Sequence, residues 1–537
     1  APFNSVIVKY DGAKWLDETG QDRSSEMMFS LPDKDVFVID AAANPPKPVA
    51  GPAGFYPHVG TTLFNMVVNP ASGKVYVSNL EANNQQRFEG QNSFAGAQVV
   101  PEPSIRGKLA LSRITVLGPG GAVSPRHLNK HINYDTCCAP VPNAENAKSL
   151  AFPNAMAITA SGSTLYVAAL GSSKIGIHDT AALESDTFVP SLTNQIPVSG
   201  GGPTGLALDE GKGRLYVLTR FDNSISIINT VTRAEIGHVP MFNPEPPGVV
   251  NGRKFLYDAA LTSSHGDSAC ASCHIFGDMD HLAWDLGNPD LPTINDPNVY
   301  ANPSPRKVFH SMKGPMVTQS LRGMDNHGPM HWRGDRTGAG AEPSAQPDSG
   351  AFDERAAFMA FSVAFEGLLG RSAPLSDAEM ASFTDFALEL MYPPNPIRHL
   401  DNSLTATQQH GKVIFFGGDT FFDPFGPALS CDACHVLDPA ANAGFTTKPG
   451  FFGTDGRSAD VAGSQNTKTP HLRNLYQRVG KFGFPTSPIF PPSPGAGTFM
   501  GDQISGFGFS HDGGFDTVFR FFFAVSFADT APVPTIF

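Results

Sequence analysis

Cys270-Ala271-Ser272-Cys273-His274 and Cys431-Asp432-Ala433-Cys434-His435 carry one five-position pattern, C-x-x-C-H. Two thiols on a single turn suit addition across the two vinyl groups of a porphyrin, and the histidine that follows them reaches under the ring to the iron. A zinc knuckle or a redox disulfide also uses C-x-x-C, but neither accounts for a histidine directly after both pairs. The pattern therefore predicts two covalently bound haem c groups. Cys270, Cys273, Cys431 and Cys434 are the attachment residues, and His274 and His435 the proximal iron ligands.

The rest of the composition narrows the setting. At 537 residues the chain is long enough for more than one domain. With 54 Gly, 47 Pro and only 16% charged residues, it leans towards turns and β structure over long exposed helices. A formal net charge of -13 argues against nucleic acid or an acidic membrane face as partner. It leaves small molecules or a small redox protein as electron donor or acceptor. No apolar run reaches the length of a membrane span. Covalent haem attachment belongs to the exported side of a bacterial membrane, so the chain is expected to be periplasmic or extracellular. Its Ala1-Pro2-Phe3 start is read as a mature end. The two remaining cysteines, Cys137 and Cys138, are adjacent, and an oxidising compartment favours a disulfide between them over two thiols.

Upstream of the haem motifs the chain repeats itself. Leu63 to Asn79 (LFNMVVNPASGKVYVSN), Pro153 to Asp179 (PNAMAITASGSTLYVAALGSSKIGIHD) and Pro203 to Asn229 (PTGLALDEGKGRLYVLTRFDNSISIIN) each place an apolar strand, a glycine-bearing turn and an x-Tyr-Val strand in succession. The tyrosines are Tyr76, Tyr166 and Tyr216. Strand, turn and strand at a recurring interval is the signature of propeller blades. The pattern resembles the YVTN-type β-propeller repeat of exported bacterial proteins. The first interval is nearly twice the second, which predicts a long insertion or a degenerate blade between Glu81 and Pro142. At roughly 45 residues per blade, residues 1–247 hold about five blades.

Composition shifts at Pro244 to Gly252 (PEPPGVVNG), read as a linker, and a module then occurs twice. GRKFLYDAALTSSHGDSACASCH (Gly252 to His274) parallels GKVIFFGGDTFFDPFGPALSCDACH (Gly411 to His435). Thr318-Gln319-Ser320-Leu321-Arg322 parallels Thr469-Pro470-His471-Leu472-Arg473, and each copy goes on to a glycine loop, His331-Trp332-Arg333-Gly334 or His511-Asp512-Gly513. Ser376-Asp377-Ala378-Glu379 is a capping box that predicts a helix to about Met391, and Thr405 is read as the cap of a helix running into Phe415.

This duplicated half resembles the bacterial di-haem cytochrome c peroxidase family, which includes the methylamine dehydrogenase maturation enzyme MauG. The resemblance covers about Gly252 to Ala524. It implies a multidomain chain: an all-β propeller (1–247) followed by two mainly α-helical cytochrome c-like domains, 248–400 with the first haem and 401–537 with the second. It implies that His310 caps the peroxide-reacting iron, with Met312 and Met316 as rivals, and that Trp332 carries electrons between the haems. Arg333 and Arg336 then suit the propionates. At the second haem the family's distal ligand is missing from Thr517 to Val525, so His511 or Met500 is the substitute, or the iron is five-coordinate. Glu342, Glu354 and Glu366 are the candidates for the distal acid–base group. The resemblance also admits a calcium ion between the modules.

Three functions compete on this reading. The first is an exported di-haem peroxidase or MauG-like oxidase acting with hydrogen peroxide. The second is a non-catalytic electron carrier with the propeller as docking or assembly module. The third is a haem oxygenase of the rubber-cleaving kind.

Overall fold

The structure, a computed structural model, describes residues 6–27, 33–86, 105–285, 294–295, 308–309, 315–334, 336, 353–396, 398–417, 430–438, 452–459, 467–479, 506–513 and 517–521. Three four-stranded antiparallel sheets follow one another along the chain, each paired in sequence order. The first contains Thr62–Val68, Val75–Ala82, Ala110–Leu117 and Val123–His127. The second contains Pro153–Ile158, Thr164–Ala169, Lys174–Asp179 and Gln195–Pro197. The third contains Pro203–Asp209, Arg214–Thr219, Ser224–Asn229 and Ala234–Pro240.

The repeat read from sequence is visible in the register. Tyr76, Tyr166 and Tyr216 each stand in the second strand, opposite Val67, Ala157 and Ala207 of the first. Each first strand carries a register irregularity near its start, at Leu63/Asn65, Pro153/Met156 and Pro203/Gly205. The sheets stack as blades do. Tyr76, Ile114, Val116 and Leu128 pack on Met156, Leu165 and Val167. Tyr166, Ala168, Ile175 and Ile177 pack in turn on Leu215, Val217 and Ile228.

Two expectations are corrected here. Among the described residues there are three such blades where about five were expected. Among the described residues the long first interval shows no extra blade and contains the first blade's own third and fourth strands. Between Lys9 and Tyr56 the described residues instead form three two-stranded antiparallel sheets. The described residues 128–152 form a strap laid over the approach to the first haem motif. Asn146 Nδ2 donates to the carbonyls of Ser263 (2.8 Å) and Ala260 (3.0 Å), and Ser149 Oγ to that of His265 (2.6 Å). Within this strap Cys137 and Cys138 are joined to each other by a disulfide. The Cys137 sulfur lies against Gly370, where an added Cβ would come within 2.7 Å of it.

The second correction concerns the two mainly α-helical cytochrome c-like domains, which are not found among the described residues. Beyond residue 247 the longest described helices are α1 (Pro247–Tyr257), α2 (Asp377–Glu389) and α3 (Ala406–Gly417), and the haem motifs lie in single 3₁₀ turns. The physical reason is local. After His274 the chain turns left-handed at Phe276 (φ 52°) and Gly277 (φ 75°), which stops a helix from propagating.

The individual helix ends follow their caps. Ser376 and Glu379 form the expected capping box at the start of α2, and Gln408 N–H donates to Thr405 Oγ1 (3.3 Å) at the start of α3. The linker stretch is the first turn of α1, pinned by Glu245 between Arg220 (2.5 Å) and Arg253 (2.6 Å). Leu80, Ala82, Ile105 and Phe152 from the blade side share one apolar core with Phe255, Leu256, Ala271, Phe383 and Phe386.

Candidate haem centres

The two C-x-x-C-H motifs fold alike. In the first, the His274 N–H donates to the Cys270 carbonyl at 2.9 Å, and in the second the His435 N–H donates to that of Cys431 at 2.9 Å. The backbone of the second cysteine is nearly superposable, with φ/ψ of -111°/-43° at Cys273 and -108°/-45° at Cys434. One turn thus brings both thiols and the histidine to the same side of the chain.

Each histidine is then oriented by the same element of the repeat. Nδ1 of His274 bonds the Gln319 carbonyl at 2.8 Å, and Nδ1 of His435 bonds the Pro470 carbonyl at 2.8 Å. Gln319 and Pro470 are both the second residue of the T-x-x-L-R segment. A carbonyl accepts only, so Nδ1 carries the proton and Nε2 keeps its lone pair for a metal. Burial holds His274 down at about 4 and lowers His435 as well, which keeps both imidazoles neutral. Burial pushes the Cys270 thiol up to about 12 and Cys273 well above its ordinary value. Such thiols are poor free nucleophiles and are chemically quiet once converted to thioethers. The donor set and the one-turn spacing fit a covalent haem at each motif. Among the described residues no group of three or more His, Cys, Asp or Glu side chains is gathered to hold a metal ion.

The two copies are locked by reciprocal exchange. The Val317 N–H, just before the first T-x-x-L-R, donates to the His511 carbonyl at 2.8 Å. The Lys468 N–H, just before the second, donates to the Trp332 carbonyl at 2.8 Å. Trp332 lies in this seam: its Nε1–H donates to the Val317 carbonyl (2.7 Å) and the Arg478 guanidinium stands 5.1 Å from its ring. Arg478 also donates to the carbonyls of Gly508 and Ser510 at 2.9 and 2.6 Å. A second seam contact was not read from sequence. His327 and His471 face each other at 4.8 Å, with His327 Nδ1 on the Phe452 carbonyl (2.6 Å). The third position of the second T-x-x-L-R, His471, was the available signal for it.

The other expected site residues scatter. His511 is buried, with Nδ1 3.4 Å from Ser510 Oγ. Arg333 and Arg336 are buried; Arg336 donates to the Ala360 carbonyl (2.9 Å) and stands over Phe361. Met316 pairs with Trp284 in a short two-stranded antiparallel sheet. Glu354 is buried at the start of helix Glu354–Met359, while Glu366 lies in Val363–Gly367. His310, Met312, Glu342 and Met500 lie outside the described residues. Among the described residues no helix is long and apolar enough to cross a membrane.

No family model matches the chain, and no curated protein is similar to it. Among solved structures it is similar to two of Kuenenia stuttgartiensis hydrazine synthase. One, pressurized with xenon, has 18% identity over 55% of this chain and 87% of that chain, with a TM-score of 0.33. The other has 19% identity and a TM-score of 0.23 over 32% of this chain, which spans about half of that one (46%). Dihydro-heme d1 dehydrogenase NirN in complex with DHE is similar at 12% identity over 39% of this chain and 33% of that chain, with a TM-score of 0.19. Likenesses of this size say nothing about activity.

Proposed function

We propose that this is an exported di-haem c-type redox protein of the cytochrome c peroxidase/MauG type, which reduces hydrogen peroxide or uses it to oxidise a partner. Residues 248–400 and 401–537 each carry one haem, residues 1–247 serve as a propeller module, and a small redox protein exchanges electrons with the chain. One observation carries the reading. Both C-x-x-C-H turns present a neutral histidine whose Nδ1 is tied to the same position of a repeated segment, Gln319 or Pro470, leaving Nε2 as the ligand atom.

Haem supplies the one-electron chemistry that splitting peroxide to two waters requires, two electrons and two protons in all. The chain's own residues fix its arrangement. His274 and His435 are held in one tautomer, the four half-buried cysteines would tether the ring edges, and Trp332 lies in the seam between the two copies. The test is to mix the reduced holoprotein with hydrogen peroxide in a stopped-flow spectrometer. Rapid oxidation of haem absorbance with two electrons consumed per peroxide is expected. Two haems whose spectra do not respond leave the electron-carrier reading in place.

A further inference from the structure

Tyr134, on the strap over the first haem motif, faces a carboxylate for which the proposed chemistry has no use. Its hydroxyl donates to Asp267 Oδ2 at 2.5 Å and lies 3.3 Å from His127 Nε2. Asp267 is 1% exposed, and its other oxygen, Oδ1, is buried with no hydrogen-bond partner among the described residues. Cys270 is three positions after Asp267, so their Cα atoms are at most about 11 Å apart. The remaining charged and titratable groups around the ring are Lys108, 5.5 Å from its centroid, and His265, whose ring is 5.4 Å away and is itself bonded to Glu145 at 2.6 Å.

We propose that Tyr134 is a one-electron redox site serving the first haem, with Asp267 as its proton acceptor. The proposal rests on the reading of Cys270 to His274 as a haem attachment. In the step, the Tyr134 O–H bond breaks, the proton passes to the Asp267 carboxylate, and one electron passes to the haem side, previously oxidised by peroxide. A neutral phenoxyl radical and a carboxylic acid result, and a reduced redox protein returns the electron as the proton goes back.

The surroundings favour this coupled route. Lys108 over the ring opposes a radical cation, so the electron leaves only if the proton leaves with it. Burial, with the Tyr134 hydrogen bond opposing it, sets the Asp267 carboxyl at about 6, close to balance for accepting a proton. Trp332 is built the other way. Its N–H faces the Val317 carbonyl, which takes no proton, and Arg478 stands over its ring. It is suited to bridging the two copies and not to storing a radical.

The test uses the full-length holoprotein and electron spin resonance after rapid freezing, with two oxidants. Photogenerated ruthenium(III) tris-bipyridyl probes the tyrosine without peroxide, and hydrogen peroxide probes it through the haem. An organic radical is expected that narrows when the protein carries ring-deuterated tyrosine and is lost in Tyr134→Phe. Asp267→Asn should slow its formation on the order of a hundredfold, and this variant carries the test if Tyr134→Phe does not fold. A radical with the ruthenium oxidant but not with peroxide supports the tyrosine and removes the peroxide reading. An undiminished radical in Tyr134→Phe, an unchanged rate in Asp267→Asn, or no tyrosyl signal with either oxidant overturns the proposal.

Discussion

Gly252 and Gly411 occupy the same place in the two copies of the haem module, and alanine at the two should act with opposite sign. Both lie inside helices, α1 and α3, where glycine costs about 1 kcal/mol relative to alanine. At Gly252 the helix crosses α2. An added methyl would land on the Ser382 carbonyl oxygen and the Phe386 Cβ, with the Ser382 carbonyl carbon 3.0 Å away. A backbone carbonyl does not swing aside as a flexible side chain does, so α1 and α2 must separate. Overpacking of this kind costs about 3 kcal/mol at the upper end of its usual range, which leaves Gly252→Ala destabilised by about 2 kcal/mol after the propensity gain. At Gly411 a Cβ meets nothing within 4 Å among the described residues. Only the propensity gain remains, so Gly411→Ala should be more stable by about 0.5–1 kcal/mol. Urea unfolding of both variants, followed by far-ultraviolet circular dichroism with unchanged slopes, measures the difference. A Gly252→Ala protein as stable as the parent would refute the crossing, and a destabilised Gly411→Ala would refute the open face of α3.

Two further outcomes follow from the same contacts. Glu245→Gln should lose about 2 kcal/mol, since it removes the charge that binds Arg220 and Arg253. The Arg220 hydrogen bonds, with those of Arg253, hold the Glu245 carboxyl down from 4.5 to about 2. Its contribution is therefore complete above the unfolded value and drains away as pH falls from about 4.5 to about 2; a parent and variant that lose stability in parallel over that window would contradict it. Trp332→Phe strands the buried Val317 carbonyl, at a cost of about 1–3 kcal/mol. It should also slow electron exchange between the haems in flash-photolysis traces, and an unchanged exchange rate would take Trp332 out of the path.

The parts of this molecule legible from sequence are those governed by short-range rules. The C-x-x-C-H turns, the Ser376–Glu379 capping box and the tyrosine-centred strand pairs each depend on a few neighbouring residues, and each stands where the spacing puts it. The T-x-x-L-R parallel could be aligned by eye, but its purpose could not. The orienting atoms are the backbone carbonyls of Gln319 and Pro470, and any residue supplies a carbonyl. The expectation of helical domains failed because family resemblance was carried from the motifs to their surroundings, while Phe276 and Gly277 end the turn within a few residues. The strap of residues 128–152 overlaps the stretch from Glu81 to Pro142 that was read as a long insertion or a degenerate blade. Its docking rests on Asn146 and Ser149 meeting backbone atoms more than a hundred positions away. Tyr134 was passed over for the same reason, since nothing near it in sequence announces Asp267.

The central claim is that two porphyrins are bound through thioethers, one at each C-x-x-C-H turn. Intact-mass spectrometry of the denatured protein, matured in cells that attach haem c, tests it together with the pyridine haemochrome. The parent should carry two haems per chain, Cys270→Ala/Cys273→Ala should retain only the second, and Cys431→Ala/Cys434→Ala only the first. A parent mass without added porphyrin, or one matching bound zinc, would contradict the account.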